Sequence, residues 1–291
     1  MKAVIRAAMP GDVDAICTLL HTRMNARILV ARWRQLMTYG WLDDKPDFGR
    51  VVEYKGQILG YCGMVYSDRM IGEEVSGLRR ERMVSMSSWY LDKSLRGHGL
   101  GRNMLLSAIE NPELTYSTLT NSRKPLGIVE SLGFNVLEDH RYLWEKSAKA
   151  SSDIHLVREF ATIRWQLPDY QRQILDDMRG LPLDPILLKV DERQCLLFFS
   201  IKSKGENVLW FDLQYASDSD LFAAVAPTLA NILLPETASV LAADARFVKN
   251  PVGNAIREQL PVSRYYVSER VAPREIDHLY SELQLLDLKL D

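Results

Sequence analysis

The chain has 291 residues, about twice a usual domain of ~150, and its 47% hydrophobic and 25% charged residues suit a globular protein with a sizeable core, so two domains are expected. A net charge of −2 supplies no general attraction to nucleic acid or anionic membrane, and neither partner is expected. The start of the chain shows no apolar signal core, and the longest mostly apolar run, Leu221 to Leu234, is too short to span a bilayer and contains Pro227 and Asn231, which points to a cytoplasmic protein.

From the N-terminus, Ile5 to Ala8 reads as a short extended segment, and Asp12 stands as a candidate N-cap for a helix carrying Val13, Ile16, Leu19 and Leu20 on one stripe. A second helix is expected over Ala26 to Met37, ending near Gly40. Arg50 to Tyr54 and Ile58 to Tyr66 form a hairpin about Lys55-Gly56-Gln57. Ser67 to Arg82 is polar and reads as a loop, followed by a strand from Met83 to Leu91.

Leu91-Asp92-Lys93-Ser94-Leu95-Arg96-Gly97-His98-Gly99-Leu100-Gly101-Arg102 then joins that strand to a helix on which Leu100, Met104, Leu105 and Ala108 recur at helical spacing. A turn of this kind is an anion cradle. Backbone N–H groups and the positive end of the helix dipole converge there, and glycines let a phosphate approach the main chain. The P-loop is excluded because no Gly-Lys-Ser or Gly-Lys-Thr follows, and the dinucleotide fingerprint because Gly97, Gly99 and Gly101 alternate. Beyond it, Asn111-Pro112 stops the helix, Glu113 to Leu119 is a strand, Pro125 to Leu132 a short helix and Asn135 to Trp144 a strand. The three cysteines, Cys17, Cys62 and Cys195, and the five histidines show no ligand spacing, so no metal is expected.

Arg96, Gly99 and Gly101 fill the pattern Arg-x-x-Gly-x-Gly, and residues 3 to 146 resemble the GNAT family of acyl-CoA-dependent N-acyltransferases. Two further features carry the resemblance: Asn121 shortly after a strand, and Leu132-Gly133-Phe134 after the short helix. The resemblance implies an α/β fold, a mixed, mostly antiparallel sheet flanked by helices and splayed between two central strands. It also implies acetyl-CoA or another acyl-CoA as donor substrate and a small-molecule amine or amino sugar as acceptor. Donor contacts are expected from Trp89, Tyr90 and Leu91 beside the pantetheine arm, from Arg96, Gly97, His98, Gly99, Leu100, Gly101 and Arg102 at the pyrophosphate, and from Asn121 near the thioester.

One departure stands out. Many family members place a Tyr three residues before the Leu of Leu-Gly-Phe, where it protonates the leaving thiolate, and here that position is Val129. Tyr142, Tyr116 and Tyr66 are substitutes that the sequence does not rank. For the base, the candidates are water held by Ser85 or Ser87, or Glu73, Glu74 or Glu81, and the catalytic residues stay unassigned. Arg69, Arg79, Arg80 and Arg82 suggest an acidic or phosphorylated acceptor.

After a linker at Ser147 to Ser152, the second half repeats the order of the first. Helical segments at His155 to Trp165 and Pro168 to Met178 precede strands at Ile186 to Val190, Cys195 to Lys202 and Val208 to Tyr215, a helix from Asp220 to Leu234 and a strand from Ser239 to Ala243. Asn250 to Pro261 aligns with Asn121 to Gly133. At the second cradle stands Ala216-Ser217-Asp218-Ser219-Asp220, with no glycine and two acids that repel a pyrophosphate. Two tandem GNAT-like domains are expected, a catalytic one at 1–146 and a degenerate one at 153–291, as a monomeric pseudo-dimer or a homodimer. Two alternatives remain: transfer of a longer acyl chain or from an acyl carrier protein, and a CoA-binding sensor or assembly protein without catalysis.

Overall fold

The structure is a computed structural model that describes residues 2–72, 77–122, 126–147 and 153–290. By contact the chain divides into two compact units, Met1–Val136 with Arg264–Ile276 and Tyr280–Leu288, and Leu137–Ser263 with Asp277–Leu279 and Lys289–Asp291. This partition differs from the expected limits of 1–146 and 153–291. Residues 264–276 and 280–288 go with the first unit because they add a strand to its sheet and apolar side chains to its core.

The first unit contains β1 (Val4–Ala7), α1 (Val13–Leu19), α2 (Val30–Thr38), β2 (Gly49–Tyr54), β3 (Gln57–Ile71), β4 (Arg79–Leu91), α3 (Leu100–Ala108), β5 (Thr115–Thr118) and α4 (Leu126–Ser131). A π turn, Leu20–Met24, extends α1, and the second helix starts at Val30 rather than Ala26. Asp12 does not cap α1 with its side chain. Its carboxylate accepts from Arg6 at 2.7 and 2.9 Å and from the Met9 N–H at 2.8 Å, which pins the start of the chain instead. Between β2 and β3, Lys55 and Gly56 have φ of 52° and 73°, the two left-handed residues of a tight hairpin turn.

Strands β3 and β4 run well into the stretch read as a loop from Ser67 to Arg82. Opposite charges face each other across the register there, Asp68 with Arg82 and Arg69 with Glu81, so the hairpin is polar yet paired. Glu73 and Glu74 lie outside the described residues, as does Pro125 at the expected start of the short helix. The strand order is β1-β2-β3-β4-β5, followed by the end of β12 (Ile256–Val267), whose Tyr265, Tyr266 and Val267 pair with Thr118, Ser117 and Tyr116. Among the described residues, the neighbouring strands of this unit are antiparallel except β4 and β5. Ile16, Leu20, Trp33, Leu36, Tyr61, Val65, Met104 and Leu105 are almost fully buried in one core, joined by Tyr265, Leu285 and Leu286.

In the second unit, β6 (Asn135–Trp144) contributes from Leu137 onward. It is followed by β7 (His155–Val157), α5 (Phe160–Gln166), α6 (Asp169–Asp177), β8 (Asp184–Val190), β9 (Arg193–Lys204), β10 (Val208–Ala216), α7 (Ser219–Leu233) and β11 (Ser239–Asp244). His155 is therefore extended and pairs with Lys189, where a helix was expected. The order is β6-β11-β10-β9-β8-β7, with β10 and β11 parallel. α7 buries Leu221, Phe222, Val225, Ala226 and Leu229 in a core with Trp144, Phe199 and Leu241.

Among the described residues, each unit has a parallel pair, and the strand before its helix carries a bulge, on β4 between Ser87 and Tyr90 and on β10 between Leu213 and Tyr215. The local match of Asn250–Pro261 to Asn121–Gly133 fails in structure. Leu126–Ser131 is helical, whereas Ile256 onward is a strand, since Pro251 and the left-handed Gly253 (φ 68°) break the chain before it.

The three cysteines serve as core filler. All are buried, and burial pushes the thiols of Cys62 and Cys195 up to about 12. The folded protein is expected to resist a thiol reagent at about pH 8 and to take up three labels in urea. Rapid labelling of Cys62 or Cys195 in the absence of denaturant would contradict these cores.

Candidate functional site

The cradle is built by a sequence of short hydrogen bonds. At the end of β4 the Asp92 N–H donates to Leu59 O at 2.8 Å, and the Asp92 carboxylate accepts from the Ser94 N–H at 3.0 Å and the Ser94 hydroxyl at 2.7 Å. This folds Lys93–Leu95 into a 3-10 turn with Leu95 buried beneath it. Gly97 and Gly99 then take left-handed backbone, φ 85° and 75°. A Cβ on either would meet nothing within 4 Å, so both face open space.

The first hydrogen bond entering α3 is Asn103 N–H to Gly99 O at 2.9 Å, and no side chain caps the helix. The N–H groups of Leu100, Gly101 and Arg102 lie ahead of that bond, at the positive end of the dipole. His98 and Arg102 are exposed beside them. Gly101 is packed from below: a Cβ there would stand 3.7 Å from the Trp89 indole and 3.9 Å from Leu91 Cδ2. The Trp89 and Leu91 side chains thus support the first turn of the helix. Arg96 folds back, its Nε donating to Leu91 O at 2.9 Å and its guanidinium lying 5.8 Å from the Tyr90 ring centroid. Its charge is fixed at the strand end by that bond.

Strands β4 and β5 pair only through Met83/Thr115, Val84/Tyr116 and Ser85/Ser117. β4 runs on to Leu91, so its last six residues diverge from β5 and leave an edge for an extended ligand. The bulge lies on this free stretch, with Ser88 at φ 51°. Two buried hydroxyl oxygens, Ser87 Oγ on β4 and Thr118 Oγ1 on β5, have no hydrogen-bond partner among the described residues. Orphaned polar atoms on the two parting strands fit a polar ligand between them. Asn121 lies just beyond β5, half-buried, its side-chain N–H donating to Thr118 O at 3.1 Å.

The candidate acids and bases are placed as follows. Val129 is 2% exposed, within the core of the first unit. Tyr66 donates its hydroxyl to Asp47 at 2.9 Å and Tyr116 donates to Asn111 O at 3.1 Å, and burial raises both phenols. Tyr142 lies on β6, among residues of the second unit. Glu81 is buried between Arg270 at 2.8 Å and Arg79 at 3.0 Å, and the Arg270 hydrogen bond holds its carboxyl below the usual range. The arginines that suggested an acidic acceptor are engaged too. Arg80 and Arg82 pair with Asp68, Arg82 also with Asp44, Arg79 with Glu81, and the Arg69 guanidinium stacks 4.6 Å from the Tyr280 ring centroid.

Ser85 has a partner that no local pattern announces. Its hydroxyl donates at 2.9 Å to Glu282 Oε2, and the Thr120 hydroxyl donates at 2.7 Å to Glu282 Oε1. Glu282 begins α8 (Glu282–Leu285), is 1% exposed, and is held by burial above the ordinary glutamate range, with Arg264 opposing that shift. At the corresponding turn of the second half, Asp218 caps α7, its carboxylate accepting from the Leu221 N–H at 2.9 Å and pairing with Arg193 at 2.6 Å. A carboxylate occupies the helix end where the first half presents bare N–H groups.

Residues 15–111 match the family model for the acetyltransferase (GNAT) family. No curated protein matches the chain. Among solved structures, a GCN5-related N-acetyltransferase from Anabaena variabilis is 9% identical with a TM-score of 0.55, covering 91% of this chain and 72% of its own. A probable N-acyltransferase from Enterococcus faecalis is 10% identical with a TM-score of 0.55 and the same coverage, 91% and 72%. A GCN5-related N-acetyltransferase from Kribbella flavida is 12% identical with a TM-score of 0.52, covering 91% of this chain and 71% of its own. At these identities the likeness is one of fold. Residues 15–111 carry a GNAT acetyltransferase domain, and the chain has the GNAT fold.

Proposed function

We propose that the chain is an N-acyltransferase that moves an acyl group, most simply acetyl, from acyl-CoA to a primary amine on a small molecule or amino sugar. The observation that carries this is the uncapped N-terminus of α3 behind two left-handed glycines, placed at the end of the strand that parts from β5. The GNAT match at residues 15–111 supports the CoA-type donor. A pyrophosphate at Gly97 to Arg102 would receive backbone N–H donors, with the exposed Arg102 and His98 beside it. The pantetheine arm would then run along the free edge of β4 as an added strand, bringing the thioester toward Ser85, Ser117 and Asn121.

Binding supplies most of the catalysis in this reading, because holding amine and thioester at attack distance converts a bimolecular step into a unimolecular one. The acceptor stays in the small-molecule class; with Arg79, Arg80 and Arg82 already paired to acids, the case for a phosphorylated acceptor loses its charge. A net charge of −2 and the absence of a described helix long and apolar enough to cross a membrane accord with an acceptor in water.

Calorimetric titration with acetyl-CoA, CoA and one long-chain acyl-CoA tests the donor. One site per chain is expected, since the second cradle is closed by Asp218. Absence of binding to all three would refute the reading. The second reading, a CoA-binding sensor, is favoured by one observation, the burial of Val129 where many relatives carry a tyrosine. CoA binding without turnover across a broad amine panel would select it.

A further inference from the structure

Among the described residues, Glu81, the one carboxylate singled out in the sequence, is tied up by two arginines, and a second carboxylate reaches the parting strands from the far end of the chain. Ser85 is the last residue of β4 paired with β5, and Thr120 lies two residues past the end of β5. Glu282 bridges the two hydroxyls, 2.9 Å from one and 2.7 Å from the other. The carboxylate therefore spans the two strands where they begin to separate. Whatever enters that opening and runs along the free edge of β4 ends against these hydroxyls.

Several features hold Glu282 in place. Leu283, Gln284 and Leu285 of the same turn are buried, and the Ser281 hydroxyl accepts from the Leu283 N–H at 3.3 Å. Leu285 and Leu286 join the core of the unit that carries the cradle. Each carboxylate oxygen lies within hydrogen-bond distance of one hydroxyl, Oε2 of that of Ser85 and Oε1 of that of Thr120. A buried carboxylate costs free energy unless something offsets it, and the Ser85 and Thr120 hydroxyls with Arg264 nearby do so here. Apolar residues would fill the same turn without that cost.

We propose that Glu282 accepts the proton released by the attacking amine, through the hydroxyls of Ser85 and Thr120. The proposal rests on the acyl-transfer reading above. The amine nitrogen forms the bond to the thioester carbon, the carbon–sulfur bond breaks, and its electron pair leaves on the CoA sulfur. The proton lost by nitrogen passes to the Thr120 or Ser85 oxygen as that hydroxyl passes its own proton to Glu282. The thiolate takes a proton from solvent, and Glu282 returns one to solvent, so that amine and thioester become amide and CoA thiol. Glu282 acts through the hydroxyls and is a positioning and proton-holding residue.

Two substitutions separate this role from a structural one because they are ordered oppositely by the two. Glu282→Gln keeps shape and one acceptor oxygen, with an NH2 that can donate to the other hydroxyl, but cannot take a proton, whereas Glu282→Asp keeps the carboxylate on a shorter arm. The full chain is assayed for CoA release from acetyl-CoA with spermidine, glucosamine and a lysine ester, with binding of CoA measured beside it. Expected is a fall in kcat of about 10²- to 10⁴-fold in Glu282→Gln, with CoA affinity and melting temperature near those of the parent. Glu282→Asp should recover at least tenfold of that loss. Ser85→Ala combined with Thr120→Val, which leaves the carboxylate in place, should lower kcat comparably.

Turnover by the parent with Glu282→Gln within threefold of it, or with Gln outperforming Asp, overturns this inference and leaves acyl transfer standing. CoA binding with no turnover of any amine by the parent overturns acyl transfer, and this inference with it.

Discussion

Replacing Gly99 with Asp is expected to abolish CoA binding, by at least about 100-fold in Kd, or ~2.7 kcal/mol. Position 99 adjoins the bare N–H groups of Leu100 to Arg102, and a Cβ there points into open space, where the pyrophosphate would lie. A carboxylate about 5 Å from a phosphate charge opposes it by roughly 3 kcal/mol at an effective dielectric of about 20. The fold should survive, because Asp is among the few residues that enter left-handed backbone easily and φ at Gly99 is 75°. Gly99→Asn is the matched control, with similar shape and backbone tolerance but no charge. Calorimetry should show weak loss in Asn and no binding in Asp. Equal losses would mean that side-chain bulk, not charge, decides the site, and unchanged affinity in Asp would remove the cradle from the functional reading.

A second large effect is expected at Gly49, for steric reasons alone. Its φ is 117°, outside the region L-residues adopt, and a Cβ would stand 2.0 Å from the carbonyl oxygen of Cys62 on the neighbouring strand. That oxygen belongs to the backbone of β3 and cannot swing away as a side chain could. The same glycine accepts the Ala8 N–H at 2.9 Å and opens β2, so displacing it disturbs three strands at once. Gly49→Ala should lower unfolding free energy by about 3–5 kcal/mol, seen as a large fall in urea midpoint. Gly56→Ala is the comparison: left-handed at 73° but with nothing within 4 Å, it should cost only about 1 kcal/mol. Similar midpoints for the two variants would show that the clash relaxes at little cost.

The parts that could be read from residue order are those whose causes are local. The turn at Lys55-Gly56 and the helix after the glycine run each depend on a few neighbouring residues, and each is found in place. Long-range causes are what escaped. Arg69 and Arg82 look like a solvated loop until Glu81 and Asp68 are seen opposite them in the register, with Arg80 reaching the same Asp68. Arg96 looks like a phosphate ligand, yet its Nε is engaged by the carbonyl of Leu91. Glu282 sits in a short leucine-rich turn, and its meaning comes from Ser85, 197 residues earlier. A one-dimensional pattern holds no signal at that separation. Asp12 shows the same limit on a small scale, since a residue suited to cap a helix is drawn off by Arg6.

The end of β12 lies beside β5 in the first unit, while β6 lies beside β11 in the second, so each unit includes a strand from the other half of the chain. This arrangement dictates when the protein can fold. As the chain leaves the ribosome, residues 1–136 emerge with β5 lacking its antiparallel neighbour and the core lacking Tyr265, Leu285 and Leu286. Closure waits for about another 150 residues of synthesis, a contact of high order that slows folding and leaves a strand edge exposed in the meantime. A fragment cut after residue 146 would inherit the glycine cradle together with that open edge; residues 148–152 of the expected linker lie outside the described residues. The unit that carries the glycine turn is therefore not a module that evolution or an experimenter can lift out by its sequence boundaries; it is completed by residues from both ends of the chain.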